Sequence, residues 1–205
     1  MKEDSYNKND ENNKDRIDKN LATTTTPPPL PTALPLSPSH KQQQQHYYQD
    51  RLLQVKDFNE TFELVKSAVD SKFKMHRAGL SLILQVLPTQ LGAYHVLGSN
   101  MIIMNKRILS IIKSKKSLLD YNSYLFMVLC HEYLHSFGIM DEIQVRRMTY
   151  DLCQSLLGAD HCASMMAKYQ PWDIFPELKL YQTNNFETNF EIIKNFDKTT
   201  QSYIN

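Results

Sequence analysis

The spacing of apolar side chains predicts a long helix at the start of the folded part of the chain. Between residues 48 and 74, apolar residues recur three or four positions apart, which places them on one face of a helix. The apolar residues of this face are Leu52, Val55, Phe58, Phe62 and Val65. We therefore expect this helix to pack on the remainder of the domain.

The pattern changes to that of β-strands in the next part of the chain. Residues 80–87 form an apolar run of a length that suits a buried strand. Residues 93–97 and 101–104 are short apolar segments on either side of residues 98–100, Gly-Ser-Asn, which are typical of a hairpin turn. The sequence therefore predicts three short strands, of which the last two pair as a hairpin.

Helical spacing returns after the strands. A short helix is predicted over 106–113, and Asn122 or Ser123 can cap a second helix that continues to His135. A third helix is predicted over 142–157. The sequence thus predicts an α+β fold, with a small twisted sheet followed by two long helices.

Composition separates both ends of the chain from this central domain. Residues 1–45 combine charged and amide side chains with runs of threonine, proline and glutamine. Such a tract buries too little apolar area to offset the entropy of ordering, so a disordered low-complexity arm is predicted. Leucines among its prolines could form a docking segment for a partner, although a solvated linker is the simpler interpretation. Residues 46–181 form the domain, and residues 182–205 a partly ordered C-terminal tail.

Charge and apolar runs exclude several classes of protein. A formal net charge of +1 gives no support to nucleic-acid binding. No apolar run approaches the ~18 residues of a membrane span, and the N-terminal residues do not resemble a signal peptide. The three cysteines, an odd number, favour reduced thiols. These features predict a cytoplasmic protein that binds neither nucleic acid nor membrane.

The residues that indicate a chemistry are His131-Glu132-Tyr133-Leu134-His135. Two histidines four positions apart lie on the same face of a helix, so both imidazoles can bind one Zn²⁺ ion. Glu132 lies beside the first histidine, where it can contact a metal-bound water without being a ligand. This arrangement is typical of hydrolases in which zinc lowers the pKa of water and a glutamate takes its proton. A core helix whose histidines bond to their neighbours is the structural alternative.

Gly138 and Asp141 extend these residues to the pattern H-E-x-x-H-x-x-G-x-x-D. With this extension the chain resembles the zincin metallopeptidases, and among them the small zinc proteases of the snapalysin type, whose third ligand is an aspartate. The resemblance implies that His131, His135 and Asp141 bind one zinc ion per chain and that Glu132 is the general base. It also implies hydrolysis of peptide bonds in a peptide or protein substrate. A catalytically silent zincin-fold module that binds or regulates is the alternative function.

The third ligand has competing candidates. Asp141 and Gln144 also fit a capping box, and Gly138 suits the end of a helix. In that interpretation the glycine and the aspartate only join two helices, and the third ligand lies elsewhere. Glu142 is then the nearest candidate, because the gluzincins use a glutamate from a later helix. His161, just beyond the second long helix, is another.

The resemblance also implies how a substrate would bind. In zincins the edge strand of the sheet runs along the cleft and pairs with an extended peptide. Here that strand would lie within 93–104, and Tyr94 or His95 would face the cleft. Candidates for the group that stabilises the oxyanion are Tyr150, His161 and His95.

Overall fold

The structure, a computed structural model, describes residues 38–197. Within this range the fold is α+β, with eight helices and one mixed four-stranded sheet. The helices are α1 (Pro38–Gln54), α2 (Phe58–Phe73), α3 (Lys106–Lys115), α4 (Leu118–His135), α5 (Glu142–Leu157), α6 (Cys162–Tyr169), α7 (Pro171–Ile174) and α8 (Glu177–Leu180). The strands are β1 (Ser81–Gln85), β2 (Ala93–His95), β3 (Met101–Asn105) and β4 (Phe190–Ile193).

The sheet has the strand order β2-β3-β1-β4. Strands β1 and β3 are parallel, with Ile83 opposite Ile103. Strand β2 is antiparallel to β3 and places Tyr94 opposite Ile103, which confirms the predicted hairpin. Strand β4 is antiparallel to β1, with Ile192 opposite Ile83. Strand β2 is therefore one edge of the sheet, and it contacts α4.

Helix α4 forms the centre of the domain. It contacts α1, α2, α3, α5, α6 and β2, and most of its side chains are buried. The helix begins earlier than predicted, because Ser117 and Asp120 form a capping box at its N-terminus. Asn122, predicted as a possible cap, instead donates hydrogen bonds to the carbonyl oxygens of Leu52 and Val55 at 2.9 and 3.2 Å. These bonds satisfy carbonyl groups near the end of α1.

The long N-terminal helix predicted from apolar spacing is two helices. Helix α1 ends at Gln54, and Asp57 begins α2 by accepting a hydrogen bond from the Glu60 N–H at 2.8 Å. Helix α1 also extends further toward the N-terminus than expected, so residues 38–45 of the predicted disordered arm are helical. The other residues of that arm, and with them the predicted docking segment, lie outside the described residues.

The segment predicted as a C-terminal tail completes the fold. Strand β4 pairs with β1, and Phe196 stacks on Phe62 with ring centroids 4.3 Å apart. The Asp197 carboxylate is buried, lies 2.7 Å from Lys66 Nζ and accepts hydrogen bonds from two backbone N–H groups just before β1. The described part of the segment 182–205, up to residue 197, is therefore part of the domain.

The described residues contain neither a disulfide nor a helix suited to a membrane. Cys130, Cys153 and Cys162 are free, and burial raises the pKa of Cys130 to about 12. Among the described helices, none combines the length and the apolar character that crossing a bilayer requires.

Candidate metal centre

Two histidines and a glutamate meet where α4 ends and α5 begins. His131 and His135 lie one above the other in the last turn of α4, with their Nε2 atoms 3.2 Å apart. Glu142 is the first residue of α5. Its Oε1 lies 3.1 Å from Nε2 of His131, and its Oε2 lies 3.1 Å from Nε2 of His135. The three side chains therefore present their ligand atoms to one point.

The turn between the two helices explains how Glu142 reaches this point. Gly138 has a φ of +85°, a conformation that side chains with a Cβ rarely adopt, and its N–H donates to the His135 carbonyl at 2.9 Å. A Cβ at this position would meet no atom within 4 Å, so the glycine is needed for its conformation and not for space. The Asp141 carboxylate then accepts from the Gln144 N–H at 3.0 Å, which makes Asp141 the N-cap of α5.

The distances among the three ligand atoms suit a small metal ion. A tetrahedral zinc ion with bonds of about 2.0–2.1 Å keeps its ligand atoms roughly 3.3 Å apart. The two Nε2 atoms, 3.2 Å apart, and the 3.1 Å distances from each Nε2 to one of the two Glu142 oxygens are close to this value. Two imidazoles and one carboxylate are also a donor set found at transition-metal sites with open positions. His131, His135 and Glu142 could therefore hold a metal ion.

The surroundings of the histidines favour their metal-binding form. His135 Nδ1 lies 2.8 Å from the carbonyl oxygen of Ile139. Because a carbonyl only accepts, Nδ1 carries the proton and Nε2 keeps its lone pair for a metal. Burial lowers the pKa of His131, although the negative charge of Glu142 opposes that shift. A neutral imidazole is the state that coordinates a metal ion.

Glu132 is buried beside this group and has one unpartnered oxygen. Its carboxylate accepts a hydrogen bond from the backbone N–H of His95, while Oε2 has no hydrogen-bond partner among the described residues. Burial raises the pKa of Glu132 to about 8, and the nearby charge of Glu142 adds to this effect. One oxygen is thus held by the sheet and the other is available to a group that enters the site.

A cavity of about 210 Å³ adjoins the metal group. Its walls come from α4, α5, α6, the start of α7 and the loop before β2. The lining residues are Gln90, Leu91, Gly92, Ala93, Met127, Val128, His131, Glu132, Glu142, Arg146, Thr149, Met166, Ala167, Gln170, Pro171 and Trp172. Most of this lining is apolar, and the charged groups in it are concentrated near the histidines.

Asn105 fixes the loop that forms one wall of the cavity. Its side chain is fully buried and donates hydrogen bonds to the carbonyl oxygens of Leu87, Pro88 and Leu91, at 2.9 to 3.1 Å. Its backbone N–H donates to the Gly92 carbonyl at 2.8 Å. Since Leu91 and Gly92 line the cavity, the conformation of this wall is set by the end of β3.

The structure brings together three of the four site residues expected from the sequence. His131, Glu132 and His135 adjoin the cavity or the metal group, but Asp141 does not belong to the group, because its carboxylate caps α5. Glu142 lies where Asp141 was expected. The signal that could have favoured Glu142 is the capping pattern itself, since an N-cap side chain bonds to the backbone of its own helix.

The other predicted residues have separate positions. His161 is the N-cap of α6, where its Nδ1 accepts from the Ala163 N–H at 3.3 Å. Tyr150 is not among the cavity-lining residues, and a lysine, Lys168, lies over its ring. His95 lies on β2 with its backbone N–H on Glu132. Two cavity residues that no motif indicated are Arg146 and Trp172.

No protein-family model matches this chain, and neither a curated protein nor a solved structure matches it.

Proposed function

We propose that this protein is a zinc-dependent metallopeptidase in which His131, His135 and Glu142 hold one Zn²⁺ ion and Glu132 is the general base. One observation carries the proposal. The two Nε2 atoms lie 3.2 Å apart, each lies 3.1 Å from one of the two Glu142 carboxylate oxygens, and a buried glutamate with an unpartnered oxygen lines the cavity beside them. If the two histidines only packed within the domain, nothing would require a third ligand beside them or a buried glutamate with an unpartnered oxygen.

The edge strand β2 supports a peptide as the substrate. Gly92 and Val96 hydrogen-bond to β3. Because the bonding direction alternates along a strand, the backbone groups of Ala93 and His95 point away from β3. The His95 N–H indeed reaches Glu132, and Ala93 lines the cavity. An extended peptide could therefore pair with the outer side of β2 next to the metal group.

A zincin-like arrangement belongs to the same proposal. In chain order, a small sheet with an antiparallel edge strand is followed by the helix with both histidines and then by the turn at Gly138. The resemblance of the sequence to the zincin metallopeptidases implies the same order of elements. The three free cysteines support the associated expectation of a cytoplasmic protein.

The proposed reaction assigns a task to each residue. Zinc bound at this site would lower the pKa of a coordinated water molecule and polarise the scissile carbonyl group. Glu132 accepts the proton of the attacking water at its unpartnered oxygen and transfers it to the leaving nitrogen. The backbone N–H of His95 beside Glu132 lowers the pKa of this carboxylate and so favours its ionised form. A positive ion nearby also favours the ionised form of Glu132, which the base must adopt.

The test compares metal content with hydrolysis in matched variants. Protein purified without a chelator should contain one zinc ion per chain and should cleave peptides in a mixed library analysed by mass spectrometry. Glu132→Gln should keep the zinc and lose cleavage by at least a hundredfold, because general acid–base catalysis contributes roughly 10²- to 10⁴-fold. His135→Ala should lose both the metal and the activity.

Two outcomes would contradict the proposal in different ways. Less than a tenth of an equivalent of metal, even after zinc is added back, would remove the metal site. Full zinc content without cleavage by the parent protein would leave the metal site and favour a silent module that binds or regulates.

A further inference from the structure

Arg146 brings a positive charge into the cavity beside the metal group. It lies on α5 one helical turn after Glu142, so both side chains project from the same face. Among the residues that line the cavity, Arg146 is the one lysine or arginine. Arg146 lines the same cavity as His131, Glu132 and Glu142, so its side chain shares that space with the metal group.

The guanidinium of Arg146 forms one hydrogen bond to the described part of the protein, and its other N–H groups can donate to a ligand. Its Nε–H donates to the carbonyl oxygen of Ala167 at 3.4 Å. Among the described residues, no carboxylate forms an ion pair with it and no acceptor bonds its two terminal nitrogens. A guanidinium has five N–H donors in a planar fork, so four remain for another group. A half-buried arginine with this geometry suits a carboxylate, which it can bind through two parallel hydrogen bonds.

The rest of the cavity suits one apolar side chain. Its volume of about 210 Å³ is below the ~300–1,000 Å³ of pockets that hold drug-sized ligands. Leu91, Met127, Val128, Met166 and Trp172 contribute apolar surface to its walls. A cavity of this size and composition accommodates a single amino-acid residue better than a longer length of peptide.

The distance between the metal group and Arg146 also corresponds to a short piece of peptide. Four residues of α-helix, from Glu142 to Arg146, rise about 6 Å. One residue of an extended peptide spans about 3.3–3.6 Å. A carboxylate bound by Arg146 would therefore lie within one or two residues of a peptide bond at the metal group.

We infer, on the basis of the proposed function, that the cavity binds the C-terminal residue of a peptide, with its apolar side chain against the cavity wall and its carboxylate on Arg146. The protein would then act as a carboxypeptidase. Water adds across the last peptide bond: a C–O bond forms at the carbonyl carbon and the C–N bond breaks. The leaving nitrogen takes the proton, and no oxidant or reductant takes part. The products are one free amino acid and a peptide shorter by one residue.

Binding can be measured separately from hydrolysis, because Trp172 is the chain's one tryptophan and lines the cavity. Its fluorescence should change when N-acetyl-leucine or N-acetyl-leucine amide is titrated into zinc-loaded or metal-free protein. We expect the acid to bind roughly 10- to 100-fold more tightly than the amide, as for a hydrogen-bonded charge pair. Equal binding of the two probes would overturn the inference.

Arg146 and its neighbour provide a matched pair of variants. Arg146→Gln should reduce the preference for the acid to within about threefold, whereas exposed Arg147→Gln should retain it. Arg146→Lys keeps the charge but lacks the planar fork, and we expect an intermediate preference. A preference that survives in Arg146→Gln would place the carboxylate on the metal or elsewhere and would overturn the assignment.

Hydrolysis of paired peptides separates this inference from the proposed function. A peptide with a free carboxylate should lose one apolar C-terminal residue, and its amidated copy should resist cleavage. Internal cleavage of both peptides at equal rates would overturn the inference and leave the peptidase intact. Arg146-dependent binding of the acid without cleavage of any peptide would overturn the hydrolysis and leave the carboxylate site.

Discussion

Neighbouring carboxylates at the start of α5 give the sharpest test of the metal site. Glu142 faces both histidines, whereas Asp141 bonds to the backbone of its own helix. Two substitutions, Glu142→Gln and Asp141→Asn, each replace one carboxylate by an amide of nearly the same shape. They should therefore differ in their effect on metal binding and resemble each other in their effect on folding.

The size of the expected difference follows from the number of ligands. Structural zinc sites with four protein ligands have apparent binding free energies of about 10–16 kcal/mol, or roughly 3 kcal/mol per ligand. Loss of the Glu142 carboxylate, one of three protein ligands, should then weaken zinc binding roughly 100-fold or more. Asp141→Asn should change zinc affinity by less than about threefold, since asparagine is an equally good N-cap.

Competition with a chromophoric zinc indicator measures both affinities, and urea unfolding of the metal-free proteins checks the fold. If both variants weaken zinc binding equally, Asp141 is a ligand as well, and its assignment as no more than the N-cap of α5 is refuted. A silent Glu142→Gln would refute the three-ligand group itself.

Two further predictions concern stability, measured by urea unfolding. Gly138→Ala should destabilise the protein by about 1–2 kcal/mol, because alanine must adopt a φ of +85°, and a neutral effect would contradict the strain argument. Asp197→Asn should cost about 3 kcal/mol or more, because the ion pair that it breaks is buried, with Lys66 3% and Asp197 0% exposed, although Lys66 keeps its pair with Glu63. Lys179→Gln, which breaks an exposed pair with Asp173, is the control and should cost less than about 1 kcal/mol. Equal costs in the two pairs would contradict the role of burial.

Elements with a strong local pattern could be predicted from the sequence. The β2–β3 hairpin and the helix with both histidines follow from turn residues and apolar spacing within a few positions. The break between α1 and α2 could not be found in this way. Apolar residues continue at helical spacing through it, whereas the cap of Asp57 on the Glu60 N–H marks the start of α2, and Asn122 binds carbonyl groups at the end of α1 from a distant part of the sequence.

The parts that the sequence did not predict depend on contacts between distant residues. Strand β4 pairs with β1 about a hundred positions earlier, and its Phe190 and Ile192 are exposed, so no alternation of buried and exposed residues marks it. At the metal group, the acidic residues 141 and 142 are adjacent in the sequence, and a motif based on spacing does not determine which of them is the ligand. The helix cap does, because the side chain of residue 141 bonds to the backbone of its own helix. Arg146 belongs to no motif, and its role emerges only from the cavity that the fold builds around it.

The metal group lies between the carboxyl end of one helix and the amino end of the next. The aligned peptide dipoles give the carboxyl end of α4 a partial negative charge and the amino end of α5 a partial positive charge. A cation held by His131 and His135 and an anion at Glu142 each meet the favourable end of a helix dipole, an effect of about 0.3–1 kcal/mol per charge. The backbone itself thus separates charge in the direction that the side chains require.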